Sequence, residues 1–195
     1  QKVTRVFDTI PSQLQRHEKR FRISDLEKGA RTRSYANAFF WLEESRVINV
    51  CFAATEPNVG LNLNRDDAKR KIYMADTGLL IAMAFDEKDI QQGLLYKKIM
   101  FDKLEINKGM LVENIVAQML RAAGNKLYFY SNASHNKDDK MEIDFLVRKP
   151  SVTSRHNISP IEVKSSARYT LTSLDKYRRK FSEYTATPYV IHSND

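Results

Sequence analysis

The chain has 195 residues, enough for one medium domain or two small ones, and its 29% charged and 42% hydrophobic content is that of an ordinary globular protein. The formal charge of +8 suits an anionic partner, nucleic acid foremost, without demanding one. A lone Cys51 excludes an intramolecular disulfide and suits a reducing cytoplasm. His17, His135, His156 and His192 lack zinc spacing, and the longest apolar run, Leu79 to Phe85, is too short to cross a bilayer. The expectation is a cytoplasmic protein with no membrane segment. The chain opens at Gln1, without a secretory leader and already in a polar, helix-like stretch, which reads as a piece of something longer.

In chain order, Pro11-Ser12-Gln13-Leu14 predicts the start of a short helix, and Ser24 with Glu27 three residues on predicts a capping box. A longer helix is expected over Arg31 to Ser45, with Tyr35, Ala38, Phe39 and Leu42 on one face and Phe39, Phe40 and Trp41 in the core. Val47 to Ala54 reads as a strand and Lys71 to Met74 as its hairpin partner, across a loop rich in turn residues. Asp76 and Gly78 shape a strand-to-helix turn. This order suggests a winged-helix-like domain over residues 1–86, followed by a helical connection at 87–106.

From residue 107 to 195 the pattern becomes α-β-β-β-α-β. Its elements are a helix over Asn107 to Ala123 with a stripe of Met110, Leu111, Ile115, Met119 and Leu120, closed by Gly124; strands at Leu127 to Ser131, Met141 to Arg148 and Ile158 to Lys164; a basic helix at Thr170 to Tyr184; and a strand at Pro188 to His192. The fold class is therefore α+β or α/β.

Within this second part, Glu142 and Asp144 alternate with Ile143 and Phe145, and Glu162 and Lys164 alternate with Ile161 and Val163. Alternation puts each charged pair on one face of its strand. Carboxylates and a lysine on otherwise apolar strands fit metal-assisted phosphodiester cleavage, in which a hard cation with oxygen ligands activates water and neutralises charge. Asp144 and Glu162 would hold Mg2+ or Mn2+, joined by the Val163 carbonyl. Lys164 would orient water or stabilise the phosphate, Glu113 would support the metal, and Glu142 would be an extra ligand.

The order helix-Glu113, strand-Asp144, strand Glu162-x-Lys164 resembles the PD-(D/E)XK nuclease-like superfamily. More narrowly, Phe7 to Leu14, Trp41 to Glu43, Tyr73 to Leu80, Gly109 to Glu113, Glu142 to Phe145 and Ile161 to Ser165 resemble the C-terminal region of bacterial and archaeal AAA-type ATPases. Those proteins carry an N-terminal P-loop module, a winged-helix segment and a nuclease-like C-terminal domain of unknown function. Ile143 stands where the superfamily has proline. No Gly-x-x-x-x-Gly-Lys-Ser/Thr is present, so no nucleotide site is expected in this chain and the ATPase domain would be a missing partner in cis. The resemblance implies nucleic-acid binding, DNA ahead of RNA, with Arg31 and Arg33 of the basic N-terminal cluster and Arg178 and Arg179 of the late helix as backbone contacts. Two alternatives stay open. One is a non-catalytic module coupling the ATPase to a protein partner; the other is a DNA-binding regulator acting through the winged helix.

Overall fold

The structure is a computed structural model that describes residues 1–16, 18–58, 60–84, 108–149, 155–166 and 168–192. The expected connection at 87–106 lies outside the described residues. Two compact units interleave in sequence: residues 1–50 with 71–118, and residues 51–70 with 119–195.

In the first unit, α1 (Lys2–Leu14) buries Val6, Ile10, Gln13 and Leu14, a helical repeat that the expectation of a helix starting at Pro11 missed. Pro11 sits inside the last turn, where its missing N–H forfeits a single ladder bond and the helix still closes through Gln15 N–H to Pro11 O at 3.0 Å. The capping box at Ser24 does not form. Ile23–Asp25 is a 3-10 turn, and Glu27 pairs with Arg5. The turn is held by buried Gln13, which accepts the Arg22 N–H at 3.1 Å and donates to Arg22 O at 3.2 Å and Asp25 Oδ2 at 3.0 Å.

Helix α2 (Thr32–Glu44) buries Tyr35, Ala38, Phe39 and Leu42 as its periodicity predicts, and Phe39 meets Phe21 edge-on at 5.3 Å. Phe40 and Trp41, expected in the core, are 57% and 62% exposed. One and two residues past Phe39, they are rotated about 100° and 200° away from its face. Strand β1 (Ile48–Ala54) is followed by β2 (Arg65–Met74), which begins six residues ahead of the expected Lys71. Asp76 then caps α3 (Thr77–Ala84), its carboxylate accepting the Leu79 N–H at 3.0 Å.

Helix α4 (Lys108–Ala122) ends where expected, with Gly124 at φ +83° supplying the left-handed stop. Its buried face is Met110, Glu113, Asn114, Val116 and Ala117, whereas Ile115 and Met119 of the expected apolar stripe are exposed. The helix is rotated because two of its inward positions are polar and are satisfied by hydrogen bonds rather than by apolar contact.

Strands β3 (Leu127–Asn132), β4 (Met141–Arg148) and β5 (Ile158–Lys164), helix α5 (Thr172–Lys180) and strand β6 (Tyr189–His192) complete the α-β-β-β-α-β order. The six strands form one mixed sheet in the order β2-β1-β3-β4-β5-β6. β1 lies parallel to β3, β3-β4 and β4-β5 are antiparallel, and β6 returns parallel to β5 after α5. The protein is thus mixed α+β. In the second unit α5 lays Leu174 and Tyr177 on Tyr130, Ile143, Leu146 and Ile158, and Tyr130 meets the Tyr177 and Phe181 rings at 5.7 and 5.1 Å.

Candidate functional site

Asp144 lies at an irregularity in β4. Tyr130 faces Ile143 and Tyr128 faces Leu146, so Phe129 alone opposes both Asp144 and Phe145: a β-bulge. Ile143 and Leu146, three residues apart, therefore both reach the α5 core, which simple alternation would forbid. On its other side β4 stays paired with β5 from Arg148/Ile158 to Phe145/Ile161. Beyond that rung the Asp144 carboxylate reaches across and accepts the Val163 N–H at 2.9 Å. A side chain thus takes a ladder position, which fixes Asp144 against the segment that carries the other two residues.

Glu162 is buried, at 3% exposure, and its Oε2 accepts from the Lys164 ammonium at 3.0 Å. The Lys164 side chain is 23% exposed, so the pair runs from the interior to the surface. Both residues are pinned in register with β6, Glu162 opposite Val190 and Lys164 opposite His192. The structure therefore gathers Asp144, Glu162 and Lys164 at the β4-β5 fork. Glu142, half-buried on β4, pairs with Ser131 of β3 before the bulge. The register is regular through Ile143, and the shift falls between Ile143 and Leu146, at Asp144 and Phe145.

Glu113 belongs to the first unit and is 4% exposed. Its Oε1 accepts from the Tyr73 hydroxyl at 2.5 Å and from the Lys71 ammonium at 3.3 Å, and its Oε2 pairs with Lys19. Burial alone pushes this carboxyl up. The Lys71 and Lys19 charges, with hydrogen bonds from Lys19 and Tyr73, outweigh burial and hold it down to about 2. Lys71 is as enclosed as its partner, its side chain 2% exposed. Beside it, Asn114 mimics a strand neighbour: it accepts the Met74 N–H at 2.9 Å and donates to Met74 O at 3.1 Å and Thr77 Oγ1 at 2.9 Å. Sequence reasoning missed Lys19, Lys71 and Tyr73. The available signal was Lys71 itself, a cation opening the apolar run Ile72-Tyr73-Met74, which needs a buried anion once that run is core.

Of the basic residues, Arg31 and Arg33 are exposed beside the start of α2, and Arg178 and Arg179 line an open cleft of about 810 Å³ at the end of α5. Asp175 also lines that cleft and offsets part of its charge.

Among the described residues no three His, Cys, Asp or Glu side chains form a ready metal cage. The donors at the fork nonetheless suit a hard divalent cation. Mg2+ is commonly held by one or two carboxylates and completes its shell with water and substrate phosphate, and Asp144 and Glu162 are two carboxylates brought to adjoining strands.

Residues 108–195 match the model of a domain of unknown function, DUF4143, which in general is found at the C-terminus of AAA-ATPase-containing proteins. Residues 1–89 match the model of a second domain of unknown function, DUF8612. Comparison with curated proteins and with solved structures gives no match. Among the described residues no helix is long and apolar enough to cross a membrane.

Proposed function

We propose that the chain is the C-terminal part of an AAA-type ATPase, with a winged-helix-like N-terminal region and a PD-(D/E)XK-like C-terminal domain. That domain binds nucleic acid, DNA ahead of RNA, and cleaves phosphodiester bonds with Mg2+ or Mn2+. The observation that supports this reading is the β4-β5 fork, where a bulge and a side-chain hydrogen bond hold Asp144 against the strand of the Glu162–Lys164 pair. When bound, the cation supplies Lewis acidity and an activated water. The protein's part is to position donors. Asp144 and Glu162 offer carboxylate oxygen. Lys164, held by Glu162, places its ammonium at the mouth of the site, where it stabilises negative charge developing on a phosphoryl group. Because Glu162 is buried, Lys164 is oriented by a fixed partner rather than by a mobile surface charge.

A second reading is a non-catalytic module that couples the ATPase domain to a partner. The observation favouring it is Glu113, whose two oxygens are taken up by Lys19, Lys71 and Tyr73, as a structural carboxylate would be. Calorimetric titration with Mn2+ separates the two. On the nuclease reading the wild type takes up Mn2+ and Asp144→Ala loses it with the circular dichroism spectrum unchanged. Equal uptake by both proteins, or none by either, rules out the fork as a metal site.

A further inference from the structure

The second unit contains another cleft, of about 640 Å³, at the far end of β4 from Asp144. Arg148 is four residues along the strand, roughly 13 Å at about 3.3 Å per residue. Three cations line the cleft, Lys126, Arg148 and Lys149, and no acidic residue is among its described lining. Arg148 and Lys149 rise from a fixed backbone. Arg148 pairs with Ile158 in the sheet, and the Lys149 N–H donates to Asn157 O at 2.8 Å. The lining also includes Gly60 to Leu63, part of a turn that runs on to Asn64. The turn is knit by Leu63 N–H to Gly60 O at 2.8 Å, by the Asn64 amide to Asn58 Oδ1 at 2.8 Å, and by Thr55 N–H to Asn64 O at 2.8 Å. That turn also ties down to the sheet through the Tyr128 hydroxyl, which donates to Asn62 Oδ1 at 3.2 Å.

This ordered turn presents Leu63 at 87% exposure beside the three cations. Covering this side chain removes apolar area from water, so a ligand with an apolar flat face and a negative charge gains from both the leucine and the cations. A nucleotide has both. The volume lies within the range of small-ligand clefts, roughly 300–1,000 Å³, so it admits a single nucleotide rather than a stacked duplex. We propose that this cleft binds one unstacked nucleotide of a single-stranded nucleic acid, its phosphates on Lys126, Arg148 and Lys149 and its base against Leu63. This assignment rests on the nucleic-acid part of the function proposed above and does not require cleavage.

Fluorescence anisotropy tests it, with labelled oligothymidylate and oligouridylate of about 20 nucleotides, longer than common single-strand site sizes. Arg148→Ala with Lys149→Ala is expected to weaken binding of at least one oligonucleotide about tenfold or more. The double variant should also reduce the slope of log affinity against log salt by about 1.4, at roughly 0.7 per phosphate. Leu63→Ser, at an exposed position that leaves the fold intact, is expected to weaken binding about threefold with the salt slope unchanged. Unaltered affinity in both cleft variants overturns the proposal, as does a wild type that binds neither oligonucleotide. Equal displacement by a mononucleotide at matched nucleotide concentration marks a free-nucleotide site and overturns the strand assignment. Loss of Mn2+-dependent cleavage as a property of the wild type, with cleft-dependent binding retained, refutes the nuclease reading alone. Cleavage that persists with binding indifferent to the cleft refutes this inference alone.

Discussion

Replacing Glu113 by glutamine leaves two lysines packed against a group that no longer carries charge. Lys71 is the more exposed to this loss in energetic terms because its side chain is 2% exposed and has no solvent to turn to. Two arguments give the magnitude. Holding the carboxyl at about 2 rather than 4.5, at roughly 1.4 kcal/mol for each pH unit, links on the order of 3 kcal/mol to folding. Removing one partner of a buried ion pair costs about 3–5 kcal/mol in general. Glu113→Gln is therefore expected to be about 3 kcal/mol less stable than wild type at neutral pH, read as the urea midpoint by circular dichroism. The folded-state value is depressed, so the contribution is full above about 4.5 and disappears as pH falls through about 2. The gap between wild type and variant should accordingly narrow across that window. A gap under about 1 kcal/mol at neutral pH, or one constant down to pH near 2, refutes the reasoning.

Asn114→Ala strips the partners from both backbone groups of Met74 and should cost about 2–3 kcal/mol, with faster hydrogen exchange at the Met74 amide; an unchanged exchange rate contradicts the pairing. The Tyr177 hydroxyl is buried and has no hydrogen-bond partner among the described residues, and burial pushes its pKa up. Tyr177→Phe should therefore match the wild type within about 1 kcal/mol or exceed it, and a larger loss in thermal unfolding would reveal a hidden partner. At Gly124, φ +83° makes alanine strained, so Gly124→Ala should destabilise by about 1 kcal/mol in the same assay; a neutral effect would place the residue outside the left-handed stop.

The legible parts of the fold are those written in apolar periodicity. The bounds of β4 and β5 follow from alternation, the buried face of α2 from Tyr35, Ala38, Phe39 and Leu42, and the end of α4 from Gly124. Illegible parts are those where tertiary pairing overrides local pattern. Helix α4 turns Glu113 and Asn114 inward because Lys71, Tyr73 and the Met74 backbone, some forty residues away in sequence, satisfy them. Glu27 leaves its capping box for Arg5, and Ser24 falls in a 3-10 turn. At the candidate site, alternation placed Glu162 and Lys164 together on β5, but the bulge opposite Phe129 is invisible in a sequence that alternates without interruption through Glu142, Ile143, Asp144 and Phe145. Equally hidden was the place of β1, which pairs in parallel with β3 because a long-range strand contact leaves no mark in either strand's own residues.

The most direct test of the account is cleavage of mixed DNA and RNA substrates in the presence of Mn2+, comparing wild type with Asp144→Ala and Lys164→Ala in protein free of contaminating nuclease. A metal-dependent site at the fork gives product from the wild type alone. Cleavage that survives either substitution, or its absence from the wild type, contradicts a phosphodiesterase site at the β4-β5 fork.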